Sequence, residues 1–159
     1  MSVLQVGALA PAFTLLDQDG VEQSLKDYKG SWVLLYFYPK DDTPGCTTEA
    51  CTFRDALPSF STVDAVVLGI SKDSVSSHKK FAEKYALPFR LLADTEHVVI
   101  SEYGFWQPKK FMGREFLGTV RSSVLLAPDG SIAKIYENVK AAEHAALVLA
   151  DLQQLRAKE

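Results

Sequence analysis

Residues 32 to 38, Trp-Val-Leu-Leu-Tyr-Phe-Tyr, form an unbroken run of apolar and aromatic side chains that stops at Pro39. A strand with one solvated face alternates apolar and polar residues. A short run without that alternation fits a strand covered on both faces of a sheet. The chain beyond Pro39 therefore starts from the end of a buried strand.

It continues as a loop, Asp41 to Gly45, and then as a helical pattern. Thr43 suits the N-cap and Pro44 the first helical position, because proline lacks the N–H that would be unpaired there. Cys46 then falls in the first helical turn. Unpaired backbone N–H groups and the positive end of the helix dipole favour a thiolate over a thiol at that place. Cys51, the second of two cysteines in the chain, lies five residues on. On an intact helix that step separates the two Cα atoms by about 8 to 9 Å. A disulfide needs about 7 Å or less, so the helix must unwind if these cysteines are to join.

The rest of the chain alternates in type. Ala12 to Leu16 and Val21 to Leu25 flank Asp17-Gln18-Asp19-Gly20, a strand-turn-strand signal, and Asp27 to Gly30 is a short connector. Pro58 is expected to interrupt or kink the cysteine helix. Ala65 to Ser71 reads as a second apolar strand. A helix capped by Ser74 runs to Pro88, with Val75, His78, Phe81, Ala82 and Tyr85 on one face. Phe89 to Leu92 is a short strand, Thr95 to Tyr103 a short helix, and Gly104 to Gly118 loop-like. Val120 to Leu126 and Ser131 to Tyr136 make a hairpin about Ala127-Pro128-Asp129-Gly130, and a last helix spans about Ala141 to Arg156. Strands alternating with helices, plus a hairpin, predict an α/β sandwich formed by one domain over residues 1–159.

Composition narrows the function. A chain of 159 residues, 47% apolar and 23% charged, is ordinary for a globular domain. The net charge of −3, with signs interspersed, offers no basic face for nucleic acid. No apolar run approaches the roughly 18 residues of a membrane span, and the N-terminus lacks the pattern of a secretion signal; a cytoplasmic protein is expected. In a reducing compartment, two close cysteines at a strand-to-helix junction are more often catalytic than structural. His78, His97 and His144 are scattered and read as packing or helix-surface residues rather than bases. No cluster of Cys, His and carboxylates shows metal spacing, so neither a metal nor another cofactor is expected.

Pro39-x-x-x-Thr43-x-x-Cys46 resembles the active-site motif of the peroxiredoxins, and Cys46-x-x-x-x-Cys51 resembles their bacterioferritin comigratory protein, or peroxiredoxin Q, subgroup. Gly7-x-x-Ala10-Pro11-x-Phe13-x-Leu15 is similar to the N-terminal strand of that family, Val67 to Ser71 to a central strand, and Arg121-Ser122-Ser123 to the segment with its second active-site arginine. Val124 and Ala127 depart from it, standing where the family more usually has an aromatic and an acid.

The resemblance implies a thioredoxin-like fold, a central mixed sheet flanked by helices with an N-terminal β-hairpin extension. It also implies a thiol peroxidase of the two-cysteine type. Cys46 would attack hydrogen peroxide or an organic hydroperoxide, and Cys51 would resolve the product as an intramolecular disulfide. Thioredoxin or a similar dithiol would reduce that disulfide, and the protein would act as a monomer. Arg121 would polarise sulfur and peroxide, and Thr43 would hold the attacking oxygen. Pro39 would shape the pocket, and Glu49 would cap the helix or pair with an arginine. The loop carrying Trp106, Phe111, Met112, Arg114 and Phe116 reads from its residues as packing against the core, whereas the resemblance places it beside the active site, where it could bind a larger alkyl peroxide or a partner. The competing readings are a disulfide oxidoreductase, which would normally show Cys-x-x-Cys, and a peroxide-sensing or chaperone-like switch without turnover.

Overall fold

The computed structural model describes residues 4–158. Its centre is a seven-stranded mixed sheet. The strands are β1 (Thr14–Leu16), β2 (Glu22–Ser24), β3 (Trp32–Phe37), β4 (Ala65–Ser71), β5 (Arg90–Ala93), β8 (Ser122–Leu126) and β9 (Ile132–Tyr136), in the order β2-β1-β5-β4-β3-β8-β9. Strand β3 is parallel to β4 and antiparallel to β8, and β4 is parallel to β5. The helices are α1 (Pro44–Thr62), α2 (Val75–Lys84), α3 (Val98–Glu102) and α4 (His144–Ala157), with a 3₁₀ turn at Leu25–Tyr28. This is the thioredoxin-like architecture, extended at the N-terminus by the β1–β2 hairpin.

Every residue of β3 is buried, as its unbroken apolar run requires. Alternate side chains serve two cores. Leu34, Tyr36 and Tyr38 pack with Phe53 and Phe60 of α1, Phe81 of α2, and Val148 and Leu152 of α4. Val33, Leu35 and Phe37 face the opposite layer, with Ile100 of α3, Tyr103 and Phe105. The carboxyl end of β3 therefore opens between filled layers, and α1 begins there. Among the described residues, no helix is long and apolar enough to cross a membrane.

Three expectations need correction. Helix α1 continues through Pro58 to Thr62 rather than breaking there. Proline removes one ladder hydrogen bond, but Phe53 and Phe60, both fully buried, hold the two sides of it against the same core.

Second, the segment 104–118 is not a loop. It forms most of a separate hairpin, β6 (Trp106–Phe111) with β7 (Arg114–Thr119), whose register runs from Trp106 opposite Thr119 to Phe111 opposite Arg114. Its two-residue turn, Met112-Gly113, has positive φ at both positions (52° and 80°), the requirement of a type I′ turn. Asparagine or aspartate usually signals such a turn, and methionine hides it.

Third, the aromatic and basic residues of this hairpin do not all pack on the core. Phe111 is 67% exposed and Met112 88%, although Trp106 at its base stacks on His97, with ring centroids 4.0 Å apart.

Candidate active site

The loop between β3 and α1 is held from below before it reaches the cysteine. Asp41 is buried and accepts hydrogen bonds from Tyr38 Oη (2.6 Å), Ser77 Oγ (2.8 Å) and His78 Nδ1 (2.7 Å). The Asp41 amide donates to Asp73 Oδ2 at 2.9 Å, and His78 Nε2 lies 3.0 Å from the Leu92 carbonyl. Asp42, at φ 56°, accepts from Lys84 Nζ and Tyr85 Oη. The loop is thus pinned to α2 and α1 starts in a defined place. His78 is a buried anchor, not a surface residue. Asp41, Asp73 and His78 also form a convergent cluster that sequence spacing did not show, with their polar atoms engaged by one another and by neighbouring groups.

Thr43 occupies the N-cap, and its carbonyl accepts from Thr47 N at 2.8 Å, but its side chain caps nothing. Instead the hydroxyl donates to the Lys40 carbonyl at 2.9 Å. With its proton so directed, Thr43 Oγ1 keeps its lone pairs as acceptors for an incoming O–H.

Cys46 lies in the first turn of α1, 2% exposed, and both cysteines are free thiols. Arg121 reaches it from the segment before β8: Nη2 donates to Cys46 Sγ at 3.4 Å while Nη1 donates to Glu49 Oε1 at 2.6 Å. Burial pulls the Arg121 pKa down, but Glu49 and Cys46 outweigh it and leave that pKa raised. Glu49 therefore pairs with arginine, one of its two expected roles, and does not cap the helix.

Its other oxygen, Oε2, accepts from His144 Nδ1 at 2.6 Å, and His144 Nε2 is 2.6 Å from Ser123 Oγ. His144 is buried at the start of α4, so of its two readings, packing or helix surface, the packing one holds, with a polar partner at each ring nitrogen besides. Nothing near it in the chain announces a partner 95 residues away.

Gly45, which reads in the sequence as a loop residue, also belongs to the site. A Cβ placed on it would meet Arg121 Nη2 at 3.0 Å, so the guanidinium approaches the helix where a side chain is missing. Pro39 and Arg121 line a cleft of about 610 Å³, with Gln107 and Lys109 of the hairpin, Ser122 and Asn138. Burial and the charge of Arg121 lower the Lys109 pKa against the opposing pull of Cys46, and its Nζ donates to the Thr119 carbonyl at 2.9 Å. A smaller apolar cavity, about 180 Å³, lies by Val33, Leu126 and Pro128 at the other end of β3, away from the cysteines.

A cysteine sulfur at a helix N-terminus, with an arginine donor upon it and an acceptor hydroxyl three residues before it, is equipped for nucleophilic attack on an oxygen that carries a proton. Residues 6–135 match the model of the AhpC/TSA family. The chain belongs to the AhpC/TSA family. It is 44% identical over 155 residues to peroxiredoxin Bcp of Bacillus subtilis, covering 98% of this chain and 99% of that protein. It is 43% identical over 149 residues to peroxiredoxin Bcp of Escherichia coli K12, covering 94% and 96%.

Among solved structures, it resembles the bacterioferritin comigratory protein of Xanthomonas campestris, studied for alkyl peroxide reduction through trapped intermediate and ligand complexes. The TM-score is 0.88 at 36% identity, over 98% of this chain and 99% of that one. A cysteine-to-serine mutant of Xylella fastidiosa PrxQ gives a TM-score of 0.91 at 33% identity, over 97% and 98%.

Proposed function

We propose that this protein is a thiol peroxidase that reduces hydrogen peroxide and alkyl hydroperoxides with Cys46 and recycles itself through Cys51. The observation that carries the reading is the Arg121 Nη2 donor 3.4 Å from a cysteine sulfur at a helix N-terminus. Arg121 and the helix amides stabilise the thiolate and the charge that develops on the peroxide oxygens. Thr43 accepts a hydrogen bond from the peroxide and orients it. Pro39, with no N–H to offer water, walls the cleft.

Sulfur bonds to the terminal oxygen, the O–O bond breaks, and the departing oxygen takes a proton to leave as water or alcohol; Cys46 becomes a sulfenic acid. Cys51 sulfur then bonds to Cys46 sulfur, and the sulfenic oxygen leaves as water with the Cys51 proton. An external dithiol, thioredoxin or one like it, regains the two thiols by becoming a disulfide itself. Helix α1 must unwind for the second step, since its intact geometry keeps the two Cα atoms about 8 to 9 Å apart. The cycle needs one chain and fits a cytoplasmic monomer.

Peroxide consumption coupled to thioredoxin and its reductase tests the reading. Wild type should turn over continuously, whereas Cys46→Ser should not react. Cys51→Ser should complete the first oxidation once. Thioredoxin-linked turnover by Cys46→Ser would refute the assignment of nucleophile, and stoichiometric oxidation without turnover would mark a sensor instead.

A further inference from the structure

Glu49 stands between the two cysteines in α1, and its carboxylate is fully buried with both oxygens engaged. Unwinding α1 enough to join Cys46 and Cys51 must disturb the turn that contains it. A carboxylate would then leave two short charge-assisted or buried hydrogen bonds at once. The two donors are not equivalent. Arg121 is 17% exposed and shares its guanidinium with the Cys46 sulfur, whereas the His144 side chain is 0% exposed.

His144 is also the more firmly seated. Its ring packs edge-on against Phe53 (5.2 Å) and Tyr136 (6.0 Å), Ser123 of β8 meets its far nitrogen, and Ala145, Val148 and Leu152 of the same helix lie in the core. Of these anchors only Phe53, two residues past Cys51, belongs to α1; the others lie on β8, β9 and α4 and do not depend on the cysteine turns.

We propose that His144 is a positioning residue that latches Glu49 and so divides the protein between an intact α1, which reduces peroxide, and an unwound α1, which forms the disulfide. The proposal rests on the two-cysteine reading above. A carboxylate held at one oxygen can pivot about that bond; held at both, it fixes the guanidinium that faces sulfur. Removing the latch has opposite consequences for the two steps. The peroxide step slows because Arg121 loses its fixed partner, and the disulfide step speeds up because unwinding breaks one bond fewer. Destabilisation outside α1 gives no reason for that opposition, and a variant that keeps a donor to Glu49 separates the latch from the packing of His144 on Phe53 of α1.

The test uses stopped-flow oxidation by hydrogen peroxide. Sulfenic acid formation is isolated in a Cys51→Ser background, and disulfide formation is followed with both cysteines present. His144→Leu should lower the first rate about tenfold and raise the second about tenfold, the scale of one lost hydrogen bond to a charged group. His144→Asn keeps an N–H near the position of Nδ1 and should fall between leucine and wild type in both rates. At excess peroxide, mass spectrometry should find less Cys46 sulfinic acid in His144→Leu, because the sulfenic acid spends less time beside a second peroxide. Both rates falling together, or a disulfide rate unchanged while thermal stability drops, would overturn the latch. Should His144→Leu fail to fold, His144→Asn decides: a ratio of the two rates equal to wild type overturns the proposal, and a shifted ratio supports it. Failure of the underlying reading looks different, because wild type itself would then form no Cys46–Cys51 disulfide by mass.

Discussion

Replacing Arg121 by alanine removes a positive charge 3.4 Å from the Cys46 sulfur. Unit charges at that distance interact by about 1.2 kcal/mol at the dielectric of water and about 5 kcal/mol at an effective value of 20. Arg121 is partly exposed and divides its charge between sulfur and Glu49, so an intermediate contribution of about 3 kcal/mol is expected, or roughly 10²-fold in rate.

The same substitution leaves the buried Glu49 carboxylate with His144 alone. Stripping one partner from a buried ion pair costs about 3 kcal/mol, near 10 °C in Tm for a domain of this size. These two losses can be separated. In Arg121→Ala/Glu49→Gln no orphaned charge remains, and the glutamine carbonyl still accepts from His144. Most of the lost Tm should return while the peroxide rate stays about 10²-fold down. Scanning calorimetry and stopped-flow sulfenic acid formation read the two quantities. If the double variant recovers rate together with Tm, the arginine acts on the fold and not on sulfur. Arg121→Lys should fall between alanine and wild type, because a single ammonium cannot serve Glu49 and sulfur in the planar geometry of the fork.

Gly45→Ala should separate rate from stability in the other direction. Alanine is the better helix former by up to about 1 kcal/mol, yet its Cβ presses on Arg121 Nη2, so Tm should hold or rise while the peroxide rate falls several-fold; an unchanged rate would show the contact is freely relieved. In hydrogen exchange, amides of Thr47 to Arg54 should exchange much faster in the disulfide form than in the reduced form, while Val33 to Phe37 stay protected in both; equal protection with the disulfide confirmed by mass would sink the unwinding step. Asp151 supplies a pH dependence remote from the site. Burial tends to raise its pKa, but donors from Lys134 (2.8 Å) and Tyr136 (2.7 Å) outweigh that and hold it below the usual carboxylate range. A depressed folded-state pKa gives stability that is present above the unfolded value of about 3.9 and is lost as pH falls through the folded value. Asp151→Asn should therefore lower Tm at pH 7, with the gap to wild type closing below about pH 4; a gap constant to pH 2 would refute the linkage.

The sequence was most legible where local chemistry and tertiary demand agree. The run from Trp32 to Tyr38 is apolar on both sides of its pleat, and Pro39, Thr43 and Pro44 punctuate it with residues whose backbone preferences leave few alternatives. Cys46 could thus be placed in a helix's first turn without coordinates. The site's far side was hidden for the opposite reason. Arg121 came only from resemblance to a family, and His144 meets Glu49 through the packing of α4 on α1, which no short spacing encodes. The β6–β7 hairpin escaped because its strands mix lysine, proline and aromatic residues without clean alternation, and its turn puts Met112 where asparagine would have given notice. Thr43 shows a subtler gap: its position at the helix start was readable, but the direction of its hydroxyl depended on the Lys40 carbonyl.

Pro58 inside α1 bears on how far a disturbance at the cysteines can spread. Helical segments melt cooperatively because each residue's hydrogen bond secures its neighbours, and proline leaves a missing rung in that ladder. Four residues earlier, Arg54 Nη1 ties the helix to the Tyr85 carbonyl at 2.8 Å, outside α1 altogether. The tether and the missing rung together act as a firebreak. Fraying that begins at Gly45 meets an external anchor at Arg54 and then a discontinuity, so Phe60 and the last turn can keep their places in the core. In the two-cysteine cycle proposed above, the loss would thereby be confined to a short cassette, and the sheet beneath would remain a template on which that cassette can refold.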